Sequence, residues 1–364
     1  MFLVLPVSDS GKEEEMKVVL KAEPKPGIQV GDLPVSKISP EDVLIRVKAV
    51  GICGSDVHIY EWTPGYESLA KYMPIVLGHE FSGEVVEVGK QVSEFCPGDP
   101  VTSETLQTCG RCIYCLSGRH TLCDQQRTLG RIGQEKHGAM AEYVACPGSL
   151  LHKIPGGVSF EEAAMVNPAT VTLHALRRAE IFPGDPAVVL GAGPIGLILA
   201  QGVKAAGASP VIVTGLSQDR ERLDLAKSLG ADEVINVDLE NPIEKVKAMT
   251  GGHGVVTAFE VSGSTKAFSQ GLEMLRKGGS LIAVGIYPAE ISLNATRNLV
   301  REMKSIRGVY GWLRSDWSRA LDLIASGKIQ VTPLITHRLS LERAEEGFEA
   351  CLDRKALKVI LSPG

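Results

Sequence analysis

Cys109, Cys112, Cys115 and Cys123 lie on one short loop, separated by two, two and seven residues. A loop of this length can wrap a single tetrahedral ion, and four thiolates make a closed, structural zinc site. Arg111 and Arg119 beside them favour the thiolate form. The spacing departs from the ferredoxin runs, and Asp124 rather than proline follows the last cysteine. A second set is split between two motifs, Gly51-Ile-Cys53-Gly-Ser55-Asp56-Val-His58 and Gly78-His79-Glu80. Cys53, His79 and Glu80 offer one thiolate, one imidazole and one carboxylate. Three mixed ligands leave a position open, which is the layout of a catalytic zinc. Zinc with an open position polarises an alcohol oxygen and lowers its pKa, so that hydride can leave the carbon. Ser55 has a hydroxyl able to pass the proton on, and His58 can carry it to solvent. With Glu80 they form the expected catalytic group.

A third pattern, Gly191-Ala-Gly193-Pro194-Ile195-Gly196, follows the apolar run Ala187–Leu190 and opens a helical stretch, Ile195–Ala206. In that setting the glycines let backbone approach a dinucleotide diphosphate at a helix N-terminus. The next strand, Val211–Thr214, ends in Gly215 without the acidic residue that would hold ribose hydroxyls. Gly215 leaves room, and Ser217, Arg220 or Arg222 can meet a 2′-phosphate, which favours NADP over NAD. The alternative is that Asp219 takes the ribose and the arginines are solvated.

The elements that must carry these residues differ along the chain. Residues 16 to about 165 read as β-rich, with Val43, Ile45 and Val47 alternating with polar residues and turns such as Pro97-Gly98-Asp99. From Pro183 strands alternate with helices: Ala187–Leu190, Val211–Thr214, Glu233–Asn236, Val255–Val261 and Leu281–Val284, with a charged helix at Arg220–Leu229. That alternation implies parallel βαβ units. Beyond residue 300, helices are expected at Trp317–Ser326 and Leu341–Leu352, and a closing strand at Leu357–Leu361.

The chain has 364 residues, enough for about two domains. With 44% apolar residues it is not a disordered chain. Its 38 Lys+Arg against 43 Asp+Glu give a net charge of −5, which argues against a zinc-knuckle nucleic-acid binder. Met1–Val7, broken by Pro6, is too short for a signal-peptide core or a membrane span. The apolar stretch Ala187–Leu216 is interrupted by Gly191, Gly193, Pro194, Gly196 and Lys204. A cytoplasmic location follows, where clustered cysteines favour metal over disulfide. Cys96, Cys146 and Cys351 read as small buried hydrophobes, His137 and His174 as structural, and Lys12–Glu15 as a solvated charge run. Trp62, Tyr66 and Tyr72 suit either a substrate pocket or packing.

In this order the motifs resemble the zinc-containing medium-chain alcohol and polyol dehydrogenases, from about Met16 to the end. Leu77–Gly89 and Pro168–Arg178 are similar to sorbitol and butanediol dehydrogenases, and His58-Ile-Tyr-Glu-Trp62 to threonine 3-dehydrogenase. The resemblance implies an α/β chain with a GroES-like catalytic domain from residues 1–166 and 303–364 and a central Rossmann domain, 167–302. It implies two zinc ions per chain, NADP or NAD in the cleft, a small alcohol or polyol substrate, and a homodimer or homotetramer with no membrane or nucleic-acid partner. It places Ser55 in the proton relay and Val284, Gly285 and Ile286 against the nicotinamide. Two positions depart from the pattern. Polyol dehydrogenases usually carry Glu where this chain has Asn167, which leaves the zinc three protein ligands and water. The Arg-aromatic pair of sorbitol-type enzymes falls in Gly308-Val-Tyr-Gly-Trp312-Leu-Arg314, where Arg314 is displaced. Threonine oxidation, or a zinc- and nucleotide-binding protein without turnover, are the competing expectations.

Overall fold

In the computed structural model, which describes residues 14–364, the first sheet is centred on Asp42–Gly51. This strand is buried along nearly all its length because it has partners on both sides. Glu80–Val88 and Tyr143–Pro147 pair with it antiparallel, and Lys358–Ser362 joins at its end through Ile360 opposite Gly51 and Leu361 opposite Val50. Seven strands make this sheet, and a separate three-stranded sheet of Glu15–Lys21, Gln29–Pro34 and Ile75–Val76 packs with it. The apolar run Met1–Val7, and Lys12 and Glu13 of the charge run, lie outside the described residues.

The second sheet is wholly parallel and runs 233–236, 211–215, 187–190, 255–260, 275–283, 305–308. The chain therefore works outward from Ala187–Leu190 to one side, then returns and works outward to the other. A topological switch point lies beside Ala187–Leu190, the place where doubly wound sheets bind ligands. The helix Pro194–Ala205 starts from Gly193 with proline in its first turn, where the missing N–H costs nothing. The expected α/β architecture is present: a β-rich lobe and a doubly wound parallel sheet.

Two features differ from the sequence expectation. Ser305–Gly308 forms a sixth parallel strand, so the sheet continues past residue 302. Ser-Ile-Arg-Gly has no apolar alternation, and only pairing with Ser280–Ala283 fixes it as a strand. The helix over Ser315–Ala325 then packs into the same core as the parallel sheet, and Trp317 stacks on His152 of the first lobe with ring centroids 5.4 Å apart. Among the described residues no helix is long and apolar enough to cross a membrane.

Candidate active site

The register of the first sheet brings the mixed ligand set together. Gly51 lies opposite Glu80, so the turn leading to Cys53 meets the start of Glu80–Val88. One ligand atom each from Cys53, His79 and Glu80 lies within 4.8 Å of the others. Glycine at 51 leaves room for the pair, because a Cβ there would come 2.7 Å from Lys358 Cε and 2.9 Å from Glu80 Oε2 and would force one of them to shift. Cys53 also caps the helix Gly54–Glu61: its N–H donates to Asp56 Oδ2 at 2.9 Å. The other oxygen of the fully buried Asp56 lies 3.4 Å from His79 Nδ1, the orientation of a carboxylate behind a metal-binding imidazole. Burial disfavours a charged imidazole, but Asp56 and the Cys53 sulfur outweigh it and hold the His79 pKa well above the usual range. Donors that draw positive charge to this point suit a divalent cation.

Lys358 completes the set. Its Nζ forms a short ion pair with Glu80 Oε2 and donates to Ile52 O at 3.0 Å, and both side chains are 3% exposed. Burial alone would lower the Lys358 pKa, but Glu80 and Cys53 keep it above the ordinary ammonium value. Ser55 Oγ is 3.5 Å from His79 Nε2, at the edge of the ligand set. His58 sits one helical turn on, 3.4 Å from Thr63 Oγ1 and stacked on Tyr66 with centroids 6.0 Å apart. Burial pushes the Tyr66 hydroxyl up to about 12, so it stays protonated. Asn167 is buried and its Nδ2 has no hydrogen-bond partner among the described residues. Arg314 is engaged away from the ligand set: it donates to Ser149 O and lies 3.5 Å from Glu104.

The four cysteines also converge, with one sulfur each inside 4.8 Å, and all are free thiols. Backbone N–H groups point at the sulfurs: Cys109 at Cys123 (3.3 Å), Cys112 at Cys109 (3.4 Å), Cys115 at Cys112 (3.5 Å). These amides, not the arginine side chains, favour the thiolate, lowering Cys112 to about 6, while Arg119 lies over the Tyr114 ring. Burial and neighbouring sulfurs push Cys115 up to about 12, so four thiolates together call for a cation.

Two cavities carry the glycine motif. One, of about 330 Å³, is lined by Gly191, Gly193, Gly215, Asp219, Arg222 and Arg354, among others. The second, of about 370 Å³, includes Cys53, His58, Glu80, Pro168, Pro194 and Ile195, and it shares Arg222 and Arg354 with the first. A Cβ on Gly196 would collide with the Gly191 carbonyl, and Gly191 has φ +124°. Nothing lies within 4 Å of where a Gly193 Cβ would stand, which leaves the helix N-terminus open to a diphosphate. Arg222 is committed elsewhere: it donates to Arg354 O (3.0 Å) and Ala356 O (2.9 Å). Ser217 and Arg220 are exposed, and Ser217 N donates to Asp238 at 2.7 Å. Val284 and Gly285 pack on the turn after Glu260, whereas Ile286 is 73% exposed.

Four residues of the site escaped sequence reasoning. Asp56 was legible as a helix N3 acid three residues after Cys53. A single lysine inside the apolar run Leu357–Leu361 was the signal for Lys358. Cys351, expected to be buried, lines the cleft, and burial pushes its thiol up to about 11, while Cys96 is exposed. Arg354 had no signal in its neighbours. Lys358→Met strands a buried carboxylate and should lower stability by about 3–5 kcal/mol in chemical denaturation. Glu80→Gln combined with it should recover part of that loss; a simple sum of the single effects would refute the coupling.

Residues 39–156 match the family model described as alcohol dehydrogenase GroES-like domain, and residues 194–326 match zinc-binding dehydrogenase. A sorbitol dehydrogenase of Halalkalibacterium halodurans is 38% identical, with 96% of this chain and 99% of that protein covered. An L-threonine 3-dehydrogenase of Bacillus licheniformis is 36% identical over 96% of this chain and 99% of its own. A structure from Sinorhizobium meliloti 1021, solved bound to NADP, superposes with a TM-score of 0.88 at 28% identity, covering 96% of this chain and 100% of that one. Likeness that runs through both lobes and both ligand sets cannot come from one shared domain, and the chain belongs to the zinc-dependent alcohol and polyol dehydrogenases.

Proposed function

We propose that this enzyme oxidises a secondary hydroxyl of a neutral polyol to a ketone, reversibly, with NAD(P) as hydride acceptor. Cys53, His79 and Glu80 hold the catalytic zinc, and Cys109, Cys112, Cys115 and Cys123 hold a structural one. Zinc would supply Lewis acidity at the substrate oxygen, and the nicotinamide ring would take the hydride. Ser55 receives the hydroxyl proton beside His79, and His58 hands it to solvent. The unpartnered Asn167 amide is a donor for a second substrate hydroxyl. Catalytic-lobe residues run through 14–166 and the C-terminal segment, and coenzyme contacts run through 167–302, with Val284, Gly285 and Ile286 at the nicotinamide end; the exposed Ile286 gives a ring an apolar surface to cover.

The observation that carries the neutral substrate is charge pairing. The cations lining the zinc end of the cleft already have acids: Lys358 has Glu80, and Arg222 and Arg354 share Asp219. A substrate carboxylate, as in threonine, would find Lys358, the cation beside the ligand set, already matched by Glu80, while Arg222 and Arg354, with one acid between them, also line the coenzyme cavity. Gly215 with exposed Ser217 and Arg220 supports NADP, as does the NADP-bound relative. The Asp238 carboxylate on the Ser217 amide opposes a 2′-phosphate and is the feature favouring NAD. A homodimer is supported by the edge strand Ser305–Gly308, paired on one side only among the described residues, with Val300 and Met303 exposed beside it.

Nicotinamide reduction should be measured with sorbitol, xylitol, butanediol and threonine, each with NAD and NADP. Polyols or diols should give the highest kcat/KM; a preference for threonine would overturn the neutral-substrate reading. Cys53→Ser should lose one metal equivalent and at least about 100-fold in turnover while keeping its thermal midpoint. Cys112→Ser should lose the other equivalent and lower the midpoint; equal metal content in both variants and wild type would exclude two sites. Light scattering should give twice the chain mass, and a monomer at micromolar concentration would reject the dimer.

A further inference from the structure

The helix Ala344–Leu352 ends at Asp353, and the chain turns through Arg354 at φ +59°. This left-handed position after a helix is where glycine is the ordinary residue, because any Cβ is strained there. A strained side chain persists where its surroundings hold it, and such sites concentrate at ligand clamps. The surroundings of Arg354 belong to the opposite wall of the cleft. Its carbonyl accepts from Arg222 Nη2 at 3.0 Å, and its own Nη2 lies 3.3 Å from Asp219 Oδ1. Asp219 is 5% exposed, and its other oxygen accepts from Leu216 N–H at 3.1 Å. One buried carboxylate thus serves two guanidinium groups, which leaves a surplus positive charge. That charge stands where the two coenzyme cavities meet, since Arg354 and Arg222 are the residues lining both.

We propose that Arg354 is a diphosphate clamp, reaching from the C-terminal segment across the cleft to the coenzyme. On binding, its guanidinium exchanges the shared Asp219 for a diphosphate oxygen. The position favours the diphosphate over a 2′-phosphate: of the helix N-terminus, Gly193 lines the first cavity and Pro194 and Ile195 the second, so it lies where the two meet, whereas Ser217 and Arg220 are exposed and line neither. The residue accepts backbone strain because its carbonyl and its side chain are both used. The inference rests on reading this cleft as a nicotinamide dinucleotide site.

Arg354→Gly separates these roles, because glycine adopts the backbone angle freely and keeps the carbonyl that Arg222 needs. The thermal midpoint of the coenzyme-free protein should be unchanged or raised. Dissociation constants for NADH and NADPH, read by equilibrium fluorescence, should both rise about tenfold, with Arg354→Lys in between. The salt dependence of log Kd should flatten for both coenzymes. Unchanged affinities, or a fall in midpoint without loss of affinity, would make Arg354 a structural tie and overturn the proposal. Loss for NADPH alone would move the contact to the 2′-phosphate and overturn it as well. If the wild type binds neither coenzyme, the reading of the cleft fails first, and the proposal fails with it.

Discussion

The buried ion pair between Glu80 and Lys358 joins parts of the chain 278 residues apart, and the geometry of the Cys53, His79 and Glu80 set depends on it. Lys358 opens the strand that pairs with the end of Asp42–Gly51, so the C-terminal strand finishes the sheet from which Cys53 and Glu80 emerge. A buried pair of this kind adds little net stability compared with apolar packing, but losing one partner is expensive. What it secures is position. Glu80 is held by a cation that cannot move away, and Gly51 is kept free of a side chain that would displace one of the two.

Charge balance explains the rest of the site. Cys53, Asp56 and Glu80 put three acidic groups around His79, and Lys358 brings one fixed cation. One divalent ion restores neutrality in a place too dry to leave charges unmet. At the four-cysteine loop the same problem has a different answer. There the backbone N–H groups bear on the sulfurs, so the loop can prepare thiolates without basic side chains. Its arginines remain at the surface, Arg119 over the Tyr114 ring.

The cleft follows from topology. The parallel sheet reverses its winding beside Ala187–Leu190, and the glycine turn that follows opens a helix N-terminus at that crevice. The β-rich lobe closes the other side with Cys53, His58 and the segment after the last helix. The two cavities are therefore built from both lobes, and Arg354 meets Arg222 and Asp219 where they join.

The convergence of the four loop cysteines, the glycine turn and the βαβ rhythm were legible from sequence because each is local. The cysteine spacing in Cys109–Cys123, the strand before Gly191 and the helix after it are fixed within a few residues of one another. The sixth strand, Ser305–Gly308, was not legible, since four residues without alternation become a strand only when a neighbour offers a free edge. The pairing of the cations was also beyond sequence. Arg222 reads as a phosphate ligand until the fold presents it with the carbonyls of Arg354 and Ala356, more than 130 residues away. Residue type determined what chemistry this chain can perform. Tertiary structure alone decided which charges are already matched and which remain for a ligand, because electrostatic pairing acts through space and is blind to separation along the chain.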